Sequence, residues 1–209
     1  MLKLFRTTHC HSNFWRHRKL DWRKQLLSFN HPHRTLIVQA LQSFNWFSLW
    51  EIGCGSGANL VKIFKELPGH QLGGSDINAE AIKVARETFM GGTFHCEDMT
   101  DLLLSDRSVD VILSDASLMY IGTGKIKKTI HEMARVARVA VVINEFHSNS
   151  WLERIKFRLR TGYNIYNYKK LLENAGLFDI QIYKIPPIMY NDKEWDKYGS
   201  IIIAKITNI

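Results

Sequence analysis

The 209-residue chain has only four prolines and three cysteines. No proline-rich or other low-complexity tract and no internal repeat is present, which excludes fibrous, solenoid and linker-dominated classes. Cys10, Cys54 and Cys96 are odd in number and lack metal-type pairing, so a disulfide framework is not expected and a reduced, cytoplasmic compartment is. The N-terminus carries no apolar signal core, and no apolar run is long enough to span a membrane. Acidic residues are scarce at the start: Asp21 alone faces Lys3, Arg6, Arg16, Arg18, Lys19, Arg23, Lys24 and Arg34, so most of the net charge of +8 lies there. Charge patterning favours a solvated basic face that helps solubility, with a surface for phosphates of RNA, of an activated substrate or of anionic lipid as the alternative.

What is present is enough apolar sequence for a core, with 45% hydrophobic and 23% charged residues, so global disorder is excluded and one domain with an extension is expected. The chain is organised around Leu49 to Leu60. Phe47, Leu49, Trp50 and Ile52 form an apolar run that stops at Gly53-Cys54-Gly55-Ser56-Gly57, and helical spacing follows at Leu60, Ile63, Phe64 and Leu67. Strand, glycine turn and helix together present backbone N–H groups to a polar ligand. The glycines let the backbone bend sharply and approach that ligand closely. Glycine spacing alone also satisfies a loose dinucleotide fingerprint. Glu51, two residues before the first glycine, and Leu72 to Ile77, a second strand ending in Asp76 about twenty residues on, separate the alternatives.

Glu51-x-Gly53-x-Gly55-x-Gly57 with Asp76 resembles the S-adenosylmethionine (SAM) site of class I methyltransferases, whose first motif is (D/E)-x-G-x-G-x-G. The resemblance extends over residues 48 to 206. It implies that Glu51, Gly53, Gly55 and Gly57 surround the methionine portion, that Asp76 holds the ribose, and that Asp98, within Thr93 to Met99, a third strand and its exit, accepts from the adenine amino group. A turn or helix-cap acid is the plain alternative for Asp98. Val109 to Asp115 resembles the family's fourth-strand segment, which would set Asp115 and Tyr120 beside the transferred methyl. Lys127 to Arg138 reads as a helix leading into a buried strand at Val139 to Phe146, without the proline–glycine turn many small-molecule members have here. Glu145 and His147 leave that strand at the ligand-facing end. They are candidates for acid–base work or acceptor anchoring, or else they satisfy each other or the next helix.

Other patterns are weaker. His9-Cys10-His11 and His31-Pro32-His33 lack metal-ligand spacing, so no metal is expected, and His31 and His33 fit a substrate mouth by position only. Gly122 to Lys125 lacks the first glycine and the hydroxyl residue of a phosphate loop. Tyr166 and Lys170 have the spacing of a dehydrogenase pair, against which Glu51 and Asp98 argue. Trp151 to Arg160 reads as a helix with Leu152, Ile155 and Leu159 on one face and bases around the remainder, with a substrate-covering lid packed on the core preferred over RNA or lipid binding.

The expectation is an α/β fold: a Rossmann-like, doubly wound, mostly parallel seven-stranded sheet with an antiparallel C-terminal strand. A helical basic cap over residues 1–47 precedes a domain over 48–209, with a lid-like segment at 147–170. The activity implied is methyl transfer from SAM, leaving S-adenosylhomocysteine, to an oxygen, nitrogen or carbon acceptor, with a small molecule preferred. An RNA or protein methyltransferase using the basic N-terminus and a non-catalytic SAM-binding subunit are the alternatives.

Overall fold

The computed structural model describes residues 12–206, so His9-Cys10-His11, Lys3 and Arg6 lie outside the described residues. Seven strands form one sheet in the order β3-β2-β1-β4-β5-β7-β6. These are β1 (Ser48–Ile52), β2 (Gln71–Asp76), β3 (Gly92–Cys96), β4 (Val109–Asp115), β5 (Ala137–Phe146), β6 (Leu177–Lys184) and β7 (Gly199–Ile206). The first five run parallel, and β7 enters antiparallel between β5 and β6. This is the Rossmann-like, doubly wound sheet that the motif order predicts.

Helices cover both faces, and strand alternation decides which side chains meet them. On one face Leu49, Val111, Leu113 and Val142 pack against α3 (His33–Gln42), α4 (Ala58–Glu66) and α5 (Ala79–Thr88), through Ile37, Leu41, Leu60, Ile63 and Ile82. On the other, Trp50, Ile52, Ile112, Val141 and Ile143 meet α6 (Ile126–Val136) and α8 (Tyr168–Asn174), through Ile130, Met133, Tyr168 and Leu172. α3 thus shares the core of the sheet, while two short helices, α1 (Ser12–Arg16) and α2 (Trp22–Leu26), precede it. The remaining helices are α7 (Trp151–Thr161) and α9 (Lys193–Tyr198).

Local chemistry fixes the element ends. The Asn78 side chain accepts from the N–H groups of Glu80 and Ala81 to start α5, Ser150 from Glu153 to start α7, and Asp192 from Glu194 and Trp195 to start α9. At the N-terminal edge of the sheet, Asp110 accepts from the N–H groups of Phe47 and Ser48 at 2.8 and 3.0 Å and from Arg138 Nε at 3.0 Å, pinning the entry of β1. Gly73 in β2 lies under the ring of Trp50, which leaves no room for a β-carbon.

The third strand ends at Cys96, and Glu97 to Asp101 form its exit, a turn that Asp98 caps by accepting from the Thr100 N–H at 3.0 Å. The fifth strand begins at Ala137 instead of Val139, since the helix before it ends at Val136. The helix expected over Trp151 to Arg160 forms, but Leu152, Ile155 and Leu159 are about half exposed, and the residue that enters the core is Phe157. The periodicity identified a shared face and not its partner.

Truncating Ile112, fully buried in the central strand β4, to alanine is expected to cost about 2–5 kcal/mol, read as a lower urea midpoint at unchanged slope.

Candidate active site

The C-terminal ends of β1, β2 and β4 open into a cavity of about 310 Å³, within the usual range for small-ligand sites. Ligands of open α/β sheets settle at this edge, where the strand order reverses beside β1. The floor is the turn after β1. Gly53, at φ 67°, brings its backbone so close to Ser117 that a β-carbon would lie 2.6 Å from the Ser117 Cβ. Gly57, at φ 86°, is left-handed at the start of α4. Both conformations favour glycine. Asp76 at the end of β2 accepts from the N–H of Gly55 at 2.9 Å and of Asn78 at 2.9 Å, fixing the turn to the second strand.

The roof comes from the N-terminal helices. Trp15, Leu20, Trp22 and Gln25 line the cavity, and Gln25 Oε1 accepts from both the N–H and the hydroxyl of Ser56. Asn78 Nδ2 donates to the carbonyls of Trp15 and Arg18 at 2.8 and 2.9 Å, latching this segment over the end of β2.

At the end of β4 the buried Asp115 carboxylate gathers four donors. Its Oδ2 accepts from His33 Nε2 at 3.0 Å, Arg34 Nη1 at 3.2 Å and Asn59 Nδ2 at 2.9 Å, and its Oδ1 from Asn144 Nδ2 at 2.6 Å. Burial alone would raise its pKa, but the charges and hydrogen bonds of His33 and Arg34, with Asn59, outweigh burial and hold it well below the usual carboxylate range. Ala116, next along, is held at φ 49°, a conformation costly for a residue with a β-carbon, as it turns the chain toward Ser117 and Tyr120. His33 Nε2 donates to the ionised Asp115, and His33 Nδ1 lies 2.5 Å from His31 Nδ1. Tyr190 stacks on His33 with centroids 4.6 Å apart, and its hydroxyl accepts from Asn144 at 2.7 Å.

Glu51 contrasts with Asp115. It is fully buried, one oxygen accepts from Asn59 Nδ2 at 2.5 Å, and Oε2 has no hydrogen-bond partner. Burial, only partly offset by Asn59, pushes its pKa up to about 8.

The cavity brings together Glu51, Gly53, Gly55, Asp76, Asp98, Asp115 and Tyr120. Gly57, Glu145 and His147 are not among its lining residues. Glu145, expected at the ligand, is fully buried behind the Leu118–Tyr120 turn and accepts from the N–H groups of Ser117, Leu118 and Met119 at 2.6, 2.5 and 3.3 Å. Burial raises its pKa to about 8 despite these bonds. The His147 side chain accepts at Nδ1 from the Tyr168 N–H at 3.3 Å, and the His147 backbone N–H donates to the Tyr198 carbonyl. Strand alternation and the backbone demands of neighbouring loops, invisible in the motif, took both side chains inward. Arg34, Asn59, Gln25 and Tyr190 line the cavity without having been singled out. They come from α2, α3, α4 and a distant loop, and only Asn59, two residues past the last glycine, carried a sequence cue. Among the described residues no cluster of His, Cys, Asp and Glu could hold a metal ion.

Residues 50–139 match the sequence family described as "Methyltransferase domain". A phosphoethanolamine N-methyltransferase of Triticum aestivum is 30% identical over 112 residues, which is 51% of this chain and 22% of that protein. The chain thus spans about a fifth of the length of that relative. Among solved structures, a Haemonchus contortus phosphoethanolamine N-methyltransferase with phosphomonomethylethanolamine and S-adenosylhomocysteine superposes with a TM-score of 0.65 at 16% identity, covering 84% of this chain and 52% of the other. The Synechocystis magnesium protoporphyrin IX methyltransferase with bound SAM gives 0.61 at 15% identity, covering 91% and 86%. The fold is that of these solved structures, and residues 50–139 are similar to the methyltransferase-domain family.

The Glu51 oxygen without a partner fits a cationic ligand group, which a neutral pocket would not demand. Glu51 is mostly protonated below its folded pKa of about 8, and the folded state holds that proton more tightly than the unfolded chain. Between pH about 4.5 and 8 the group therefore subtracts stability progressively as pH rises. Glu51→Gln should remove this slope, so that its melting temperature relative to wild type climbs from pH 5 to pH 8, measured by calorimetry.

Proposed function

We propose that the protein transfers the methyl group of SAM to a small-molecule acceptor bound at the Asp115 end of the cavity. The observation that carries this reading is the convergence of Glu51, Asp76 and Asp115 from three strand ends on one cavity floored by the glycine turn. When bound, SAM supplies an activated methyl on a positively charged sulfur. Everything else falls to the chain. Glu51 and Arg34, acid and base across Asn59, suit the ammonium and carboxylate of the methionine portion. Asp76 suits the ribose hydroxyls, and Asp98, at the rim with Lys125 Nζ 3.7 Å away, the adenine amino group. The Trp15 and Trp22 roof excludes water, and Gly53 and Gly55 permit close backbone approach.

On the acceptor side, Asp115 is too weak a base to remove a hydroxyl proton, since its neighbours hold it ionised. Its role is to orient a donor group or to balance positive charge. Tyr120, whose ring lies 4.4 Å from Trp15, and Tyr190 wall the acceptor. Glu145 is a positioning residue that holds the turn carrying Tyr120, and His147 supports the segment before α8.

Calorimetric titration with SAM, S-adenosylhomocysteine and NADH tests the cofactor half. Both adenosyl ligands should bind, and Asp76→Ala should weaken them by about ten- to a hundredfold, the worth of a hydrogen bond to a charged group. Binding of NADH alone would discard the reading. For the acceptor half, phosphoethanolamine and its methylated forms are the first to assay, given the wheat and Haemonchus relatives. Turnover should vary little with salt for a small neutral acceptor, whereas a steep fall would mark an RNA acceptor instead.

A further inference from the structure

The face of α7 that the periodicity assigned to the core faces solvent. Trp151, Leu152, Ile155 and Leu159 are 62%, 50%, 49% and 56% exposed, while Phe157 is fully buried. At 3.6 residues per turn these four side chains fall within about 100° of the helix circumference, centred opposite Phe157. Basic residues border that arc on both sides: Lys156 follows Leu152, and Arg158 then Arg154 follow Trp151. The helix is fastened on its other side. Phe157 packs edge-on against Phe146 and Tyr198 at 5.0 and 5.2 Å, Glu153 lies 3.4 Å from Lys197, and Arg160 pairs with Glu194 at 2.7 Å. Glu153, the helix's one acid, is on this fastened side, so no acid of α7 borders the apolar arc.

From this we infer that α7 is a docking helix for the surface of an anionic lipid bilayer. An apolar arc edged by tryptophan and flanked by lysine and arginine is the arrangement by which a helix lies in the interface, its apolar side chains below the headgroups and its cations among the phosphates. No helix among the described residues is long and apolar enough to cross a membrane, so the contact is peripheral. The net charge of +8 and the exposed Arg16, Arg18, Lys19, Arg23 and Lys24 add attraction of the same sign. Binding through bases alone would need no apolar arc, and it is the pairing of the two that selects lipid over RNA. α7 ends at Gly162, and the ring of the next residue, Tyr163, packs 5.5 Å from Tyr120 on the cavity wall, so the docked helix lies close to the cavity.

Flotation of the full chain with vesicles tests this. The protein should float with vesicles of equal parts phosphatidylcholine and phosphatidylglycerol, and about tenfold less with phosphatidylcholine alone. Ile155→Glu with Leu159→Glu should reduce flotation on the mixed vesicles about tenfold while SAM titration and the circular dichroism spectrum stay as in wild type. Ile155→Ser with Leu159→Ser is the milder pair should the charged pair misfold. Lys156→Ser with Arg158→Ser should lower binding and flatten its salt dependence. Three outcomes would overturn the inference: no flotation, flotation that survives both apolar pairs, as binding by the basic N-terminal segment would, or a dimer in sedimentation equilibrium that these substitutions dissociate.

Discussion

One buried carboxylate holds the ligand end of the molecule together. Asp115 takes hydrogen bonds from α3 through His33 and Arg34, from α4 through Asn59, and from β5 through Asn144. An ion this deep would be prohibitively desolvated on its own, and only a full set of donors makes it tenable. Those donors are drawn from segments far apart in the chain, so satisfying the charge and closing the fold over the cavity are one event. Arg34 extends the network to the Ser28 carbonyl and hydroxyl at 3.0 Å, which ties the segment after α2 to the same point.

The other acids at this edge show how environment sorts one functional group into different states. Glu51 and Glu145 are as buried as Asp115, yet their pKa values move up. Glu51 has one amide partner, and Glu145 has only neutral backbone donors, whereas Asp115 has a guanidinium and an imidazole. Asp98 is pulled up by partial burial, but the Thr100 N–H and hydroxyl, with Lys125, bring it below its ordinary value. The cavity therefore has fixed negative charge at its rim and at Asp115, with a proton-holding acid between them.

Much of this was legible in the sequence where local rules decide. The turn after β1 could be read because Gly53 and Gly57 occupy conformations that favour glycine, and the order of strands because apolar runs and amphipathic helices alternate. Asp76 and Asp115 could be located because a strand delivers its last polar residue to the sheet edge. What could not be read depends on contacts between distant segments. Nothing in His31 to Arg34 announces that it will meet Asp115 more than eighty residues later, or that Tyr190 will stack on His33. Glu145 and His147 were expected at the ligand because their strand ends there, but three backbone N–H groups claimed the one and the backbone around Tyr168 the other. For α7, spacing showed which side chains share a face and could not show that Phe157, outside that set, makes the contact with the core.

The strand order has a consequence for how the sheet is assembled. β7 lies between β5 and β6, and β6 has no other partner among the described residues. Until the last strand emerges and inserts, β5 exposes an unpaired edge and β6 has nothing to pair with. The β6–β7 pair closes locally, but joining it to β5 waits on pairs such as Phe146 with Gly199, whose sequence separation makes closure slow. A partly made chain presents open strand edges in the meantime, the state most prone to pairing with another copy.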